Sequence, residues 1–155
     1  MTLVAERVIP RRGEFIHSLL SEDHQHLERF FQEIIAWARE GEHASLRGDW
    51  QRFERELTSH MDLEEQEILP AFACDHQAEA QAIRDEHVRI RAGLTELGID
   101  LDLHCLRAER VEDFIGLLRA HARREEALLY PWASHRTAER QTGRGEWPIC
   151  CLDCR

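Results

Sequence analysis

Two stretches of the chain place a glutamate four residues after a histidine and then repeat the surrounding pattern. His60-Met61-Asp62-Leu63-Glu64-Glu65-Gln66-Glu67-Ile68-Leu69-Pro70 aligns with His121-Ala122-Arg123-Arg124-Glu125-Glu126-Ala127-Leu128-Leu129-Tyr130-Pro131. The shared form is His-x3-Glu-Glu-x2-aliphatic-x-Pro. Ahead of each copy, at nearly the same interval, stands an acid–histidine pair, Asp23-His24 and Glu86-His87. Residues i and i+4 lie on one helix face, about 5–6 Å apart at Cβ. One helix can therefore offer an imidazole to one metal ion and a carboxylate that reaches across to a second. Two such helices supply two bridging carboxylates, Glu64 and Glu125, and the lone histidines complete a terminal pair on each ion.

The donor types narrow the metal. Imidazole with carboxylate favours iron or manganese over calcium, which takes oxygen only, and over a closed thiolate zinc site; manganese or zinc can still substitute for iron. Two six-coordinate irons held in this way, with one bridging oxide or hydroxide, keep formally one open position each. A diatomic molecule or peroxide fits there.

The elements that must position these residues follow from hydrophobic period. Four segments repeat apolar residues at steps of three and four, and none alternates as a strand does. The first runs from about Phe15 to Ala38 through Ile16, Leu20, His24, Leu27, Phe31 and Ile34. A second starts near Ser45, carries Leu46, Trp50, Phe53, Leu57, His60, Glu64 and Ile68, and is expected to stop at Pro70. The third begins at the Cys74–His76 stretch, shows Ile83, His87, Ile90, Leu94 and Leu97 inward, and is expected to end at Gly98. The fourth presents Val111, Phe114, Leu118, His121, Glu125 and Leu128 and is expected to end at Pro131. Short connections make neighbours antiparallel, so the expectation is an all-α, up-down-up-down antiparallel four-helix bundle. In this reading residues 1–14 are an N-terminal segment, 15–133 the bundle, and 134–155 a polar, cysteine-rich tail containing Cys150, Cys151 and Cys154. Each apolar stripe holds a histidine, and two hold a glutamate as well. Burying so many polar groups costs several kcal/mol unless something satisfies them together, and a metal does so.

Composition excludes other classes. The 155 residues are 43% hydrophobic and 32% charged, and 30 acids against 20 bases, all arginine, give a net charge of −10. A chain this acidic lacks the basic stripe that a nucleic-acid backbone requires. No apolar run approaches the roughly 18 residues of a membrane span. Met1 to Gly13 has neither the apolar core nor the cleavage site of a secretory leader, so a cytoplasmic location is expected. Five cysteines, three of them in the last six residues, do not form a secreted disulfide framework.

In order, spacing and face, the set His, His-x3-Glu, His, His-x3-Glu resembles the hemerythrin-like (HHE cation-binding) family over roughly Phe15 to Trp132. The resemblance implies two non-haem irons, oxo- or hydroxo-bridged, that bind dioxygen, nitric oxide or peroxide. It places His24 and His60 on one iron and His87 and His121 on the other, with Glu64 and Glu125 bridging. Oxygen-carrying members have a further histidine on the third helix; here the positions four before and four after His87 are Ile83 and Arg91. The four-histidine, two-glutamate set is more similar to members linked to iron–sulfur cluster repair, nitric oxide response or iron and oxygen sensing.

Three activities stay open from the residues. One is binding of a small oxidant or diatomic in stress response or sensing. Another is turnover, as a di-iron peroxidase or nitric oxide reductase. The last is iron donation or storage. Cys151 and Cys154 have Cys-x-x-Cys spacing, which suits thiol redox or metal handling, so an electron donor or an iron acceptor can work through the tail. The alternative is a terminus that is merely cysteine-rich. His17, His26, His43, His76, His104 and His135 are expected on the surface or in loops. Asp23 and Glu86, beside the lone histidines, read either as acceptors behind the ligands or as solvated charge; because adjacent helical residues do not face each other, solvated charge is expected. Trp37, Trp50, Phe53 and Phe114 read as core, and Tyr130, at the end of the fourth helix, as packing rather than as a redox relay. Cys74, in a turn between helices, and Cys105 read as free thiols.

Overall fold

The computed structural model describes residues 12–40 and 43–141, which form four helical rods and no strand. The first rod is α1 (Arg12–Glu40). The second runs through α2 (His43–Leu63), a π-helical turn (Glu64–Ile68) and α3 (Leu69–Asp75). The third is α4 (Gln77–Asp102). The fourth repeats the pattern of the second: α5 (Ala108–Arg124), a π-helical turn (Glu125–Leu129) and α6 (Tyr130–Gln141). α1 packs on α2, α5 and α6, and α4 packs on α2, α3 and α5. No helix among the described residues is long and apolar enough to cross a membrane.

Neither proline ends its rod. Each follows closely behind a π turn, in which Leu69 N–H bonds to Glu64 O and Tyr130 N–H to Glu125 O, five residues back. A proline inside an α-helix lacks its donor and clashes with the carbonyl four residues behind. The widened turn has already displaced that ladder, so the helix passes through Pro70 to Asp75 and through Pro131 to Gln141. The extra residue also shifts the helical phase. Leu128, expected on the inner face, is 42% exposed, and Leu129 takes the buried place.

Gly98 likewise lies inside α4, where a side chain would crowd the Trp50 indole nitrogen, 3.3 Å from the Cβ position. The helix ends instead at His104, whose φ of 55° is left-handed. His104 N–H bonds to Leu101 O and Cys105 N–H to Asp100 O, a Schellman closure with histidine where glycine is usual. Cys74 sits at the end of α3, not in a turn, with its thiol directed at Pro70 O. Residues 134–141, expected in the tail, extend α6. Cys150, Cys151 and Cys154 lie outside the described residues, as do the side chains of His17, Asp23, Trp37 and His43.

The core has two apolar clusters. The larger joins α1, α2, α4 and α5 and includes Leu27, Phe31, Trp50, Phe53, Ile90, Leu94, Phe114 and Leu118. The smaller comprises Ile68, Leu69, Phe72, Ala80, Ile83, Leu129 and Tyr130. On α2 the larger cluster stops at Met61 and the smaller resumes at Ile68; on α5 the same break falls between Leu118 and Leu129. Polar residues occupy the layer between.

Candidate metal centre

Five side chains are the buried polar and charged groups of that layer: His60, Glu64, His87, His121 and Glu125. His24 reaches in from α1 with its side chain 10% exposed. All six residues that the spacing singled out therefore meet at one place, and every rod contributes at least one of them. Glu64 spans two histidines and Glu125 three. Glu64 lies with Oε1 3.5 Å from His60 Nε2 and Oε2 3.4 Å from His87 Nε2. Glu125 has Oε2 3.3 Å from His24 Nε2, and its Oε1 is 2.9 Å from His121 Nε2 and 3.3 Å from His87 Nε2. Donor atoms of Glu64, His87, His121 and Glu125 lie within 4.8 Å of one another, and so do those of His24, His60 and Glu125.

A second layer orients three of the histidines, and the sequence alone did not assign it. His87 Nδ1 is 2.8 Å from Glu65 Oε1, His121 Nδ1 2.9 Å from Glu86 Oε2, and His24 Nδ1 3.1 Å from Glu126 Oε1. A carboxylate at Nδ1 fixes the proton there and turns the Nε2 lone pair inward. Arginines hold two of these carboxylates in turn. Arg91 Nη1 donates to Glu65 (2.7 Å), and Arg124 Nε donates to Glu86 (2.9 Å). The second glutamate of each repeat thus serves the lone histidine of the other half. Glu86 does face away from its neighbour His87, yet it addresses His121 on the adjacent rod and is not solvated charge. The sequence signal was there in the doubled Glu-Glu of each repeat and in the acid before His87. Only their cross-rod pairing was invisible.

The electrostatics of the layer call for a cation. Burial raises the Glu64 carboxyl above its ordinary value, and the neighbouring Glu125 charge adds to that. Burial would raise Glu125 too, but His121, His24 and His87 hold it well below the ordinary range. Burial alone would lower His87, yet Glu125 and Glu64 outweigh it and push the imidazole up to about 10. His24 and His121 also rise, against the effect of burial, through Glu125. Positive charge is being drawn to two buried carboxylates. Glu64 Oε2 and His121 Nε2 lie near His87 and Glu125 but make no hydrogen bond of good geometry, although buried polar atoms are rarely left so. Four inward imidazole nitrogens, two spanning carboxylates and two atoms without a well-formed hydrogen bond fit metal ions and fit no apolar ligand.

A cavity of about 340 Å³ opens onto the layer between α1, α2 and α5. His24, His60 and His121 form its inner end, and Leu27, Phe31 and Leu118 line the wall. Arg119 pairs with Glu28 at its edge. The cavity lining is mostly apolar, with Glu28, Arg119, Arg123 and Glu126 adding charge.

Of the remaining histidines, His26 accepts from Arg29, His76 stacks on Phe72, and His104 caps α4. None of these three joins the layer. Trp50, Phe53 and Phe114 are buried as expected. Cys74 is half-buried, and Cys105 is exposed and free.

Helices that turn histidine and glutamate toward one buried point define a cation-binding helical bundle. The model of the hemerythrin HHE cation-binding domain matches residues 16–133, and the chain belongs to that family. No curated protein and no solved structure matches the chain.

Proposed function

We propose that this chain is a non-haem di-iron protein that binds dioxygen, nitric oxide or peroxide, in an oxidative or nitrosative stress response or in oxygen or iron sensing. His24 and His60 are assigned to one iron, His87 and His121 to the other, and Glu64 and Glu125 to both. The observation that carries this reading is that each carboxylate directs its two oxygens at histidines of different pairs. When bound, the irons supply open positions and exchangeable electrons. The chain does the rest. Glu65, Glu86 and Glu126 hold the imidazole protons at Nδ1, the two apolar clusters keep bulk water out, and the cavity lined by Leu27, Phe31 and Leu118 admits a small molecule. The short links between rods support an up-down-up-down course.

Iron content per chain tests the reading on protein taken from iron-supplied cells. Two irons are expected in the native chain, with loss of the two-iron centre in His60→Ala and in Glu64→Ala. Native protein with a single iron or none, or variants that keep both irons, would overturn the assignment.

A further inference from the structure

Tyr130 is the chain's single tyrosine. It opens α6 directly behind the second π turn and is fully buried. Its hydroxyl oxygen lies 2.7 Å from Glu64 Oε1, 3.1 Å from His24 Nε2, 3.3 Å from His60 Nε2 and 3.4 Å from Glu125 Oε2. One oxygen thus touches the inward atoms of four of the six assigned ligands. Its hydrogen goes to Glu64, which leaves the oxygen lone pairs facing the two imidazoles of the His24/His60 pair. The imidazoles it contacts here are those of His24 and His60.

The ring has nowhere else to go. It is packed with Ile68, Leu69, Phe72 and Leu129 in the smaller apolar cluster. Withdrawing a buried aromatic ring from a close-packed interior opens a void, at a cost of a few kcal/mol. A cation entering between His24 and His60 therefore meets the phenol oxygen inside its shell. The repeat sharpens the point. The residue equivalent to Tyr130 in the first copy is Leu69, equally buried and without a polar atom. A leucine satisfies the packing at that register, so the hydroxyl on the other side answers to something other than packing.

We propose that Tyr130 supplies a further oxygen donor to the ion held by His24 and His60, with no counterpart on the His87/His121 side, so that the two metal positions are chemically unequal. The inference rests on the metal centre proposed above. On coordination the phenol O–H bond breaks, its proton passes to water, and the oxygen's lone pair bonds to the ion; no electron is transferred. An anionic oxygen favours the harder, more highly charged ion, so the His24/His60 position should hold ferric iron more firmly than its partner position does.

Iron is the probe. The full chain, loaded with iron and oxidised to the ferric state, is expected to show a visible phenolate-to-iron charge-transfer band. Excitation into that band should enhance tyrosinate ring modes in the Raman spectrum. Because the chain has one tyrosine, the native protein alone makes the assignment, whatever a variant does to folding. Tyr130→Phe is expected to lose both signals while keeping iron at His87 and His121. Ferric, iron-loaded native protein without ring modes would overturn the role of Tyr130 and leave the metal centre standing. Native protein that takes up no iron would overturn both.

Discussion

Glu65 shows what a single residue beside the centre contributes. Burial alone would raise its carboxyl, but Arg91 and then His87 hold it below the ordinary value. It therefore stays ionised and keeps the His87 proton at Nδ1. Outer carboxylates of this kind are worth about 10–100-fold in metal affinity. Glu65→Ala should weaken metal binding by that factor, measured by competition against a chelator of known strength. Glu126 plays the equivalent part for His24 but is half exposed, and water can replace it. Glu126→Ala should cost less than Glu65→Ala. Equal losses, or none in either variant, would show that these contacts do not orient the ligands.

At the scale of the element, identical substitutions should act with opposite signs on neighbouring helices. A Cβ at Gly93 of α4 would stand 2.6 Å and 2.7 Å from two ring atoms of Phe114 on α5. Phe114 is a buried aromatic in the larger cluster and has little room to yield. Overpacking of this kind costs about 1–3 kcal/mol, against about 1 kcal/mol gained from alanine's helix propensity. At Gly116 of α5 nothing lies within 4 Å, so only the gain applies. Urea denaturation should therefore find Gly93→Ala destabilised and Gly116→Ala stabilised by up to about 1 kcal/mol. A stabilised Gly93→Ala would mean that the α4–α5 approach is looser than these distances state. The same elements show what could be read from the chain. The four rods and all six inward histidines and glutamates followed from period and repeat, because side-chain face is a local property of a helix. The end of α1 followed as well, at Glu40, but the ends of the other three rods did not. Pro70, Gly98 and Pro131 look like terminators in sequence, yet two π turns and the Trp50 indole override them, and His104 in a left-handed turn ends α4. Tyr130 was hidden for the same reason: the extra residue of the π turn precedes it.

Across the whole molecule, the centre is where all four rods meet through polar side chains buried in the core. His24 comes from α1, His60 from α2, His87 from α4 and His121 from α5, while Glu64 and Glu125 each begin a π turn. In the unfolded chain these donors are scattered, so a metal ion binds the folded state almost exclusively. Its free energy of binding is then free energy of folding. A ligand present at 100 times its dissociation constant adds about 2.7 kcal/mol. For a chain of this size each kcal/mol moves the midpoint by about 2–4 °C, so loading one site should raise Tm by roughly 5–11 °C. Removing the metal with a chelator should lower Tm by the same amount, and adding iron back should restore it. The Glu64→Ala chain separates this from a general salt effect. It lacks one spanning carboxylate and should respond to iron far less than the native chain. Coincident melting curves for chelated and iron-loaded native protein would mean that the polar layer is held together by its own hydrogen bonds. Glu64 Oε2 and His121 Nε2 argue against that, since a self-sufficient layer would leave neither atom without a well-formed hydrogen bond.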